Sequence, residues 1–242
     1  MFSNRYIYIY SIILVVCAAA ILTFAAVGLK PMQDRNVRVE KMQQLLDAVG
    51  ISSTTKDAQE KFDEYFTEQY AVNLKGEVVG KIVNGKQILG KVNPFSLDEK
   101  KQFSLAKNKD ENALLPIYIC TKQGKKQYVI PVRGNGLWGA IWGNIALDED
   151  LKTVVGVNFS HKGETPGLGA EITTDNFKNQ FKGKTIFDGD KFTSISVIKR
   201  ADKANLHQVD AISGGTMTSN GVSDMLKDCL GYYIPYFNSV KK

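Results

Sequence analysis

A cluster of hydroxyl side chains follows a glycine pair near the C-terminal end of the sequence. The segment reads Asp210-Ala-Ile-Ser213-Gly-Gly-Thr216-Met-Thr218-Ser219, and helical apolar spacing begins directly after it. The first N–H groups of a helix have no intrahelical partner and carry partial positive charge, so they attract phosphate. A hydroxyl placed there could hydrogen-bond a phosphate or be esterified to one. An ordinary capped turn is the alternative interpretation.

A second glycine-rich segment, His161-Lys-Gly-Glu164-Thr165-Pro-Gly-Leu168-Gly169, lies between a predicted strand and a predicted helix. Its polar side chains and glycines could wrap an aromatic cofactor that forms hydrogen bonds. A surface loop is the alternative. A metal site from His161 and Glu164 is disfavoured because the sequence offers no third or fourth ligand, so we expect no metal.

Residues 134–139, Gly-Asn-Gly-Leu-Trp-Gly, match the GxGxxG dinucleotide pattern in their letters. A dinucleotide site needs a helix that begins at these glycines. The residues from Trp138 onward instead alternate as in a strand, and no capping residue is present. We therefore reject a dinucleotide site and expect the glycines to permit turns or a close backbone approach to a partner or ligand.

The composition excludes several classes of protein. The 242 residues are 43% hydrophobic and 23% charged, which is typical of a folded globular chain. The net charge of +6 is spread out, without basic runs interleaved with aromatics, so we expect no nucleic-acid binding. The three cysteines, Cys17, Cys120 and Cys229, form no CxxC, and there are two histidines; both facts argue against zinc, iron–sulfur and multi-histidine sites.

The N-terminal part of the sequence predicts a membrane anchor. Residues 6–29 carry no charge and would form roughly 36 Å of helix, enough to cross a bilayer. A cleaved signal peptide is the alternative, but the apolar run continues well beyond the small residues 18–20. Basic residues within 30–41 favour a cytoplasmic C-terminal side, yet the large domain that follows weakens this rule. Charge alone therefore leaves the orientation open.

The remaining patterns predict an α+β fold, with a single N-terminal transmembrane helix followed by an antiparallel-sheet domain with flanking helices. Asn84-Gly85 predicts a type I′ hairpin. Helices are predicted at 34–49, 56–70, 172–181 and 219–237, and strands at 77–83, 86–92, 116–121, 126–132, 138–147, 153–159 and 192–199. Cys229 lies on the apolar stripe of the last helix, so we expect a buried thiol. Thr218 or Ser219 is expected to cap that helix.

These segments together resemble one known family. The anchor, PVRGNGLWG (131–139), HKGETPGLGAE (161–171) and DAISGGTMTSNGV (210–222) are similar to the C-subunit of the sodium-translocating NADH:quinone reductase. That flavoprotein family is related to the G-subunit of the Rnf electron-transport complex. In it, FMN is joined by a phosphoester to a threonine within a pattern close to D-x-x-S/T-G-A-S/T. Asp210, Ser213, Gly214 and Thr216 match this pattern, and Gly215 stands where alanine is usual.

The resemblance implies a flavin site around Thr216. Thr216 would carry covalent FMN, and Thr218 would lie beside it. Leu168 would pack on the isoalloxazine face, and Trp138 would either stack on the flavin or pack in the core. Glu164 would line the flavin or, alternatively, orient its loop. The full set of implied cofactor-binding residues is Trp138, Glu164, Thr165, Leu168, Gly169, Ser213, Gly214, Gly215, Thr216 and Thr218.

The resemblance also implies an electron-carrying subunit of a membrane complex. Other subunits would bind NADH and quinone, and the complex would export Na⁺. Further partners would be the remaining subunits and a flavin-attachment enzyme, and the soluble domain would face the periplasm of a bacterial inner membrane. A protein of the Rnf type and a membrane-tethered module with noncovalent ligands are the alternatives. The expected division is a tail (1–5), a transmembrane helix (6–29), a membrane-proximal region (30–125), an FMN-binding domain (126–237) and a second tail (238–242).

Overall fold

The structure is a computed structural model that describes residues 3–240, and these residues divide into two compact units between Lys41 and Met42. Helix α1, Asn4–Ala48, is continuous and includes Pro31, so the helix predicted at 34–49 is the end of a longer one. Within the described residues, α1 is the helix that is long and apolar enough to cross a membrane. Residues 1–2 and 241–242 of the predicted tails lie outside the described range.

The second unit is built on a seven-stranded antiparallel sheet, as the sequence predicts. Its strands are β1 Glu68–Asn73, β2 Val78–Val83, β3 Lys86–Leu89, β4 Leu114–Lys122, β5 Lys125–Asn135, β6 Ala140–Leu147 and β7 Val154–His161. Their spatial order is β3-β2-β1-β4-β5-β6-β7, so strands on both sides of residue 125 belong to one sheet. Asn84 and Gly85 between β2 and β3 have positive φ angles of 47° and 73°, which confirms the type I′ hairpin.

One face of the sheet packs against helix α5, Thr216–Val240, and the shorter helix α3, Glu99–Lys107. The predicted apolar stripe of α5 is buried against β5 and its neighbours. Cys229 lies on this stripe, where its Sγ donates to the carbonyl of Arg133 at 3.2 Å and accepts from the N–H of Arg133 at 3.3 Å. Burial raises the pKa of the Cys229 thiol to about 12, which confirms a buried, unreactive cysteine.

The other face is covered by the end of α1 and by helix α2, Ala58–Tyr65. Phe62 of α2 packs edge-on against Phe95, and Phe95 in turn contacts Tyr118 of β4. Asp47 fixes the last turn of α1, because its Oδ2 accepts from Asn158 at 2.6 Å and pairs with Lys178 at 3.1 Å. The central strands β4, β5 and β6 are therefore largely buried, whereas the edge strand β3 is exposed.

Several predicted boundaries are wrong. The helix predicted at 56–70 ends at Tyr65, and the residues after it enter the centre of the sheet as β1. The helix predicted at 172–181 is a single turn, α4 Asp175–Lys178, between two 3₁₀ turns, because Thr174 caps it by accepting from Phe177. The strand predicted at 192–199 is interrupted. The short strands of this region are β8 Phe187–Asp188, β9 Lys191–Phe192, β10 Ser196–Ile198 and β11 Gln208–Asp210.

The packing of α5 on the sheet predicts a clear loss of stability when a side chain of its buried apolar stripe is shortened. Leu226→Ala should lower the free energy of unfolding by about 2–5 kcal/mol, since it leaves a cavity in the core. Urea unfolding of the full chain in detergent, followed by near-UV circular dichroism, measures this. The neighbouring exposed residue provides the control: Lys227→Ala should change the value by no more than about 0.5 kcal/mol. Equal effects of the two changes would contradict the packing.

Candidate functional site

Three segments meet at the buried carboxylate of Glu164, which is 4% exposed. Its Oε1 accepts from the N–H of Trp138 at 2.8 Å, in the β5–β6 loop (residues 136–139). Its Oε2 accepts from the hydroxyl of Thr218 at 2.6 Å, in the first turn of α5. Glu164 itself belongs to the β7 loop (residues 162–168). One side chain therefore joins both glycine-rich loops to the start of the last helix.

Hydrogen bonds keep this carboxylate ionised. Burial alone raises the pKa of Glu164, but the Thr218 hydroxyl and the N–H groups of Trp138, Leu137 and Gly139 outweigh it and lower the pKa below 4.5. Because the donors come from two different segments, the negative charge at neutral pH binds them both to the β7 loop.

Glycine is required at two positions because the Glu164 carboxylate lies very close to the backbone there. A Cβ at Gly136 would lie 2.6 Å from Oε1 of Glu164, and a Cβ at Gly169 would lie 2.5 Å from Oγ1 of Thr218. Strand β6, not a helix, follows the β5–β6 loop, which confirms that its GxGxxG letters form no dinucleotide site. These glycines accommodate a protein carboxylate.

His161 has a local role next to Glu164. Its Nδ1 accepts from the N–H of Glu164 at 3.1 Å, at the point where β7 ends. The ring thus stabilises the turn that brings the Glu164 side chain inward.

Helix α5 begins at Thr216, three residues earlier than predicted. The N–H of Ser219 donates to the carbonyl of Gly215 at 2.9 Å, so Gly215 is the residue that precedes the helix. Thr216 is therefore the first helical residue, and it is exposed. The expected position of FMN attachment lies where unpaired helix N–H groups occur.

The expectation that Thr218 or Ser219 caps α5 is wrong. Because the helix starts earlier, both residues lie within its first turn and are buried. The hydroxyl of Thr218 donates to Glu164, and Oγ of Ser219 accepts from the N–H of Ile212 at 3.1 Å. Both hydroxyls are engaged within the protein.

The glycine pair forms a tight turn before α5. The N–H of Gly215 donates to the carbonyl of Ile212 at 3.0 Å, and Gly214 has a φ of +73°, which favours glycine. Gly214 is exposed, whereas Gly215 is buried. A Cβ at Gly215 would lie 2.9 Å from Cγ2 of Ile212, so Ile212 occupies the space that an alanine would need.

Leu168 lies directly over this turn. Its Cδ2 is 2.6 Å from the position that a Cβ of Gly214 would take, and the side chain is still 41% exposed. Trp138 is 69% exposed, so the core-packing alternative for it is wrong; its backbone is held by Glu164 at a loop tip while the ring faces solvent. Met217 is a further exposed apolar side chain, at 60%, and it is not among the expected site residues. Its position off the apolar stripe of α5 indicates this exposure from the sequence.

The other expected site residues lie around the same turn. Thr165 and Ser213 are exposed, and Gly169 is buried beside Glu164. Asp210 of the attachment pattern has a structural role: its Oδ1 accepts from the N–H of Ala201 at 2.8 Å, and its own N–H donates to Gln180 at 2.8 Å. It fixes the strand that leads into the glycine turn.

A polar groove of about 730 Å³ borders the turn and includes Asp210 and Ser213 in its wall. Two of its polar side chains are already engaged, since Gln180 accepts from Asp210 and Lys184 donates to the carbonyl of Asn205 at 2.7 Å. We therefore centre the candidate site on Thr216 and the exposed side chains near it, including Ser213 in the wall of this groove.

Comparison with known proteins identifies the family of this part of the chain. Residues 136–231, which contain all three segments, match the family model described as FMN-binding domain. The chain is 32% identical to the C-subunit of the Na(+)-translocating NADH-quinone reductase of Neisseria meningitidis serogroup B, over 99% of this chain and 95% of that protein. The chain belongs to this C-subunit family. The Vibrio vulnificus protein of the same name is also 32% identical, over 89% of this chain and 86% of its own length.

Solved structures of this family share the fold. The C-subunit structure from Parabacteroides distasonis is 36% identical, has a TM-score of 0.76, and is matched over 86% of this chain and 96% of its own. NqrC of Shewanella oneidensis is 26% identical, has a TM-score of 0.66, and is matched over 84% and 97%. The family resemblance and the α+β fold class predicted from the sequence are thereby confirmed.

The ionised state of Glu164 predicts a pH-dependent contribution to stability. Its lowered pKa adds stability that is complete above about pH 4.5 and is lost as the pH falls through the folded-state value. Glu164→Gln should therefore lower the free energy of unfolding at pH 7, and the deficit should shrink as the pH falls toward 3. Urea unfolding of both proteins across this range tests the prediction. A deficit that stays constant with pH would show that the charge is not the cause.

Proposed function

We propose that the chain is an electron-carrying subunit of a membrane NADH:quinone reductase that exports Na⁺, with FMN joined as a phosphoester to Thr216. The observation that carries the proposal is the exposed Thr216 hydroxyl on the first residue of a long helix, inside the region that matches the FMN-binding domain family. The related proteins from Neisseria and Vibrio are named as subunits of such a reductase.

Accessibility separates Thr216 from Thr218 and Ser219, and its place on the helix separates it from Ser213. Thr218 and Ser219 are buried and hydrogen-bonded, and Ser213 precedes the glycine turn and lines the polar groove. Thr216 is both exposed and helical. A phosphoester there would meet the helix N–H groups, which contribute roughly 0.3–1 kcal/mol. This is too little to retain a cofactor, which is consistent with a covalent bond.

The surroundings of Thr216 suit a flat aromatic group. Leu168 lies over the adjacent turn and presents an apolar surface, so we assign it to one face of the isoalloxazine. Exposed Trp138 is a second candidate for stacking, and Thr165 and Ser213 are exposed polar groups for ring or ribityl oxygens. FMN, when bound, accepts and passes on electrons. The role of these residues is to hold and orient it.

The remaining assignments follow from the family. NADH and quinone would bind to other subunits, which would be partners of this chain together with a flavin-attachment enzyme. Helix α1 would anchor the chain in a bacterial inner membrane, with the soluble domain in the periplasm. Residues 126–237 would form the FMN-binding part and residues 30–125 the membrane-proximal part. The names of the relatives favour this assignment over a protein of the Rnf type or a module with noncovalent ligands.

Thr216→Ala should abolish covalent flavin while the chain stays folded and membrane-inserted. Denaturing gels should show flavin fluorescence for the wild type and none for this variant, and mass spectrometry should find FMN minus water on Thr216. Thr216→Ser should retain part of the flavin, since a hydroxyl remains. The exposed Thr193 is the control, and Thr193→Ala should keep full fluorescence. Flavin retained after Thr216→Ala, or found on Thr218 or Ser213, would refute the assignment.

The proposed orientation makes a separate prediction. Alkaline phosphatase fused after residue 242 should be active in bacterial cells, because the enzyme folds only on the periplasmic side. A β-galactosidase fusion at the same position should be inactive and serves as the opposite control. The reverse pair of results would place the domain in the cytoplasm, in line with the basic residues at 30–41.

A further inference from the structure

We propose that Glu164 is the positioning residue of the flavin site: its carboxylate ties both loops to the first turn of α5 and thereby fixes Leu168 relative to Thr216, without touching FMN. The flavin part of this inference rests on the proposed function. The structural part concerns the chain alone.

The first argument is that both oxygens of the carboxylate are engaged within the protein. The Thr218 hydroxyl donates to Oε2 at 2.6 Å and the N–H of Trp138 donates to Oε1 at 2.8 Å, and the side chain is buried. The neighbouring N–H groups of Leu137 and Gly139 also favour the ionised form. Both oxygens of Glu164 thus point into the protein. Glu164 is more suited to orienting the loops than to lining the flavin.

The second argument is the short path from the carboxylate to the proposed flavin contacts. Thr218 lies two residues after Thr216 in one helical turn. Leu168 lies four residues after Glu164, in a loop tightened by the N–H of Leu168, which donates to the carbonyl of Thr165 at 3.1 Å. The bond from Thr218 to Glu164 therefore sets the distance between the attachment point and the apolar surface of Leu168.

Three substitutions test separately the charge of Glu164, its hydrogen bond to Thr218 and the space between these two side chains. Glu164→Gln keeps the shape of the side chain but removes the charge, so the hydrogen bonds to Thr218 and Trp138 are no longer charge-assisted. Thr218→Val removes only the bond to α5. Gly169→Ala places a methyl group between Glu164 and Thr218. Gly163→Ala is the matched control in the same loop, because a Cβ there meets nothing within 4 Å.

The structural test is hydrogen exchange of the full chain in a Thr216→Ala background, which removes the flavin from the measurement. Glu164→Gln should speed amide exchange about tenfold or more, the effect of losing a charge-assisted hydrogen bond, in three peptides together: 134–142, 161–172 and 212–222. Gly169→Ala should act likewise, and Gly163→Ala should leave all three unchanged. An effect of Glu164→Gln confined to 161–172 would overturn the proposal.

The flavin test uses the chain with Thr216 intact. Glu164→Gln and Thr218→Val should both shift the flavin absorption spectrum and midpoint potential, while mass spectrometry still finds the flavin on Thr216. A shift with Glu164→Gln but none with Thr218→Val would mean direct contact with the flavin and would overturn the positioning role. A wild-type chain without flavin would refute the proposed function, and the hydrogen-exchange result would still decide whether Glu164 joins the three segments.

Discussion

The site depends on one buried charge. A carboxylate removed from water destabilises a protein by several kcal/mol unless its oxygens are fully hydrogen-bonded. Glu164 meets this condition because one oxygen accepts from the Thr218 hydroxyl and the other from the N–H of Trp138. The same requirement explains Gly136 and Gly169, where any side chain would collide with the carboxylate or its partner.

The sheet and α5 bring these partners to one place. A Cβ at Gly221 would overlap the carbonyl of Asn135, and a Cβ at Gly134 would lie 2.7 Å from Cβ of Met225. Glycine on each side thus allows α5 to approach the end of β5 closely. Cys229 continues this contact two turns further along the helix through its bonds to Arg133. The start of α5 consequently lies beside the β5–β6 loop.

Patterns with a strong period could be predicted from the sequence. The Asn84-Gly85 hairpin, the central strands and the apolar stripe of α5 are regular enough to be recognised, and the family motif indicated Thr216. The partners of Glu164 could not be predicted, because one of them is the backbone N–H of Trp138, which no side-chain pattern encodes, and the other, Thr218, is distant in sequence. The early start of α5 could not be predicted either. Thr218 resembles a capping residue in the sequence, but in the structure it lies within the first turn and donates to a carboxylate fifty-four positions away.

The choice of donors at Glu164 also bears on the phosphoester proposed at Thr216. Both negative groups would lie beside the first turn of α5, and a helix start offers only a few unpaired N–H groups. Glu164 accepts from a hydroxyl of α5 and from the N–H of Trp138 in the β5–β6 loop, and neither donor is a backbone N–H of the helix. The ionised carboxylate therefore uses none of the helix N–H groups, and the positive end of α5 remains for a phosphate. Two anions next to one helix terminus are compatible because they use different donors.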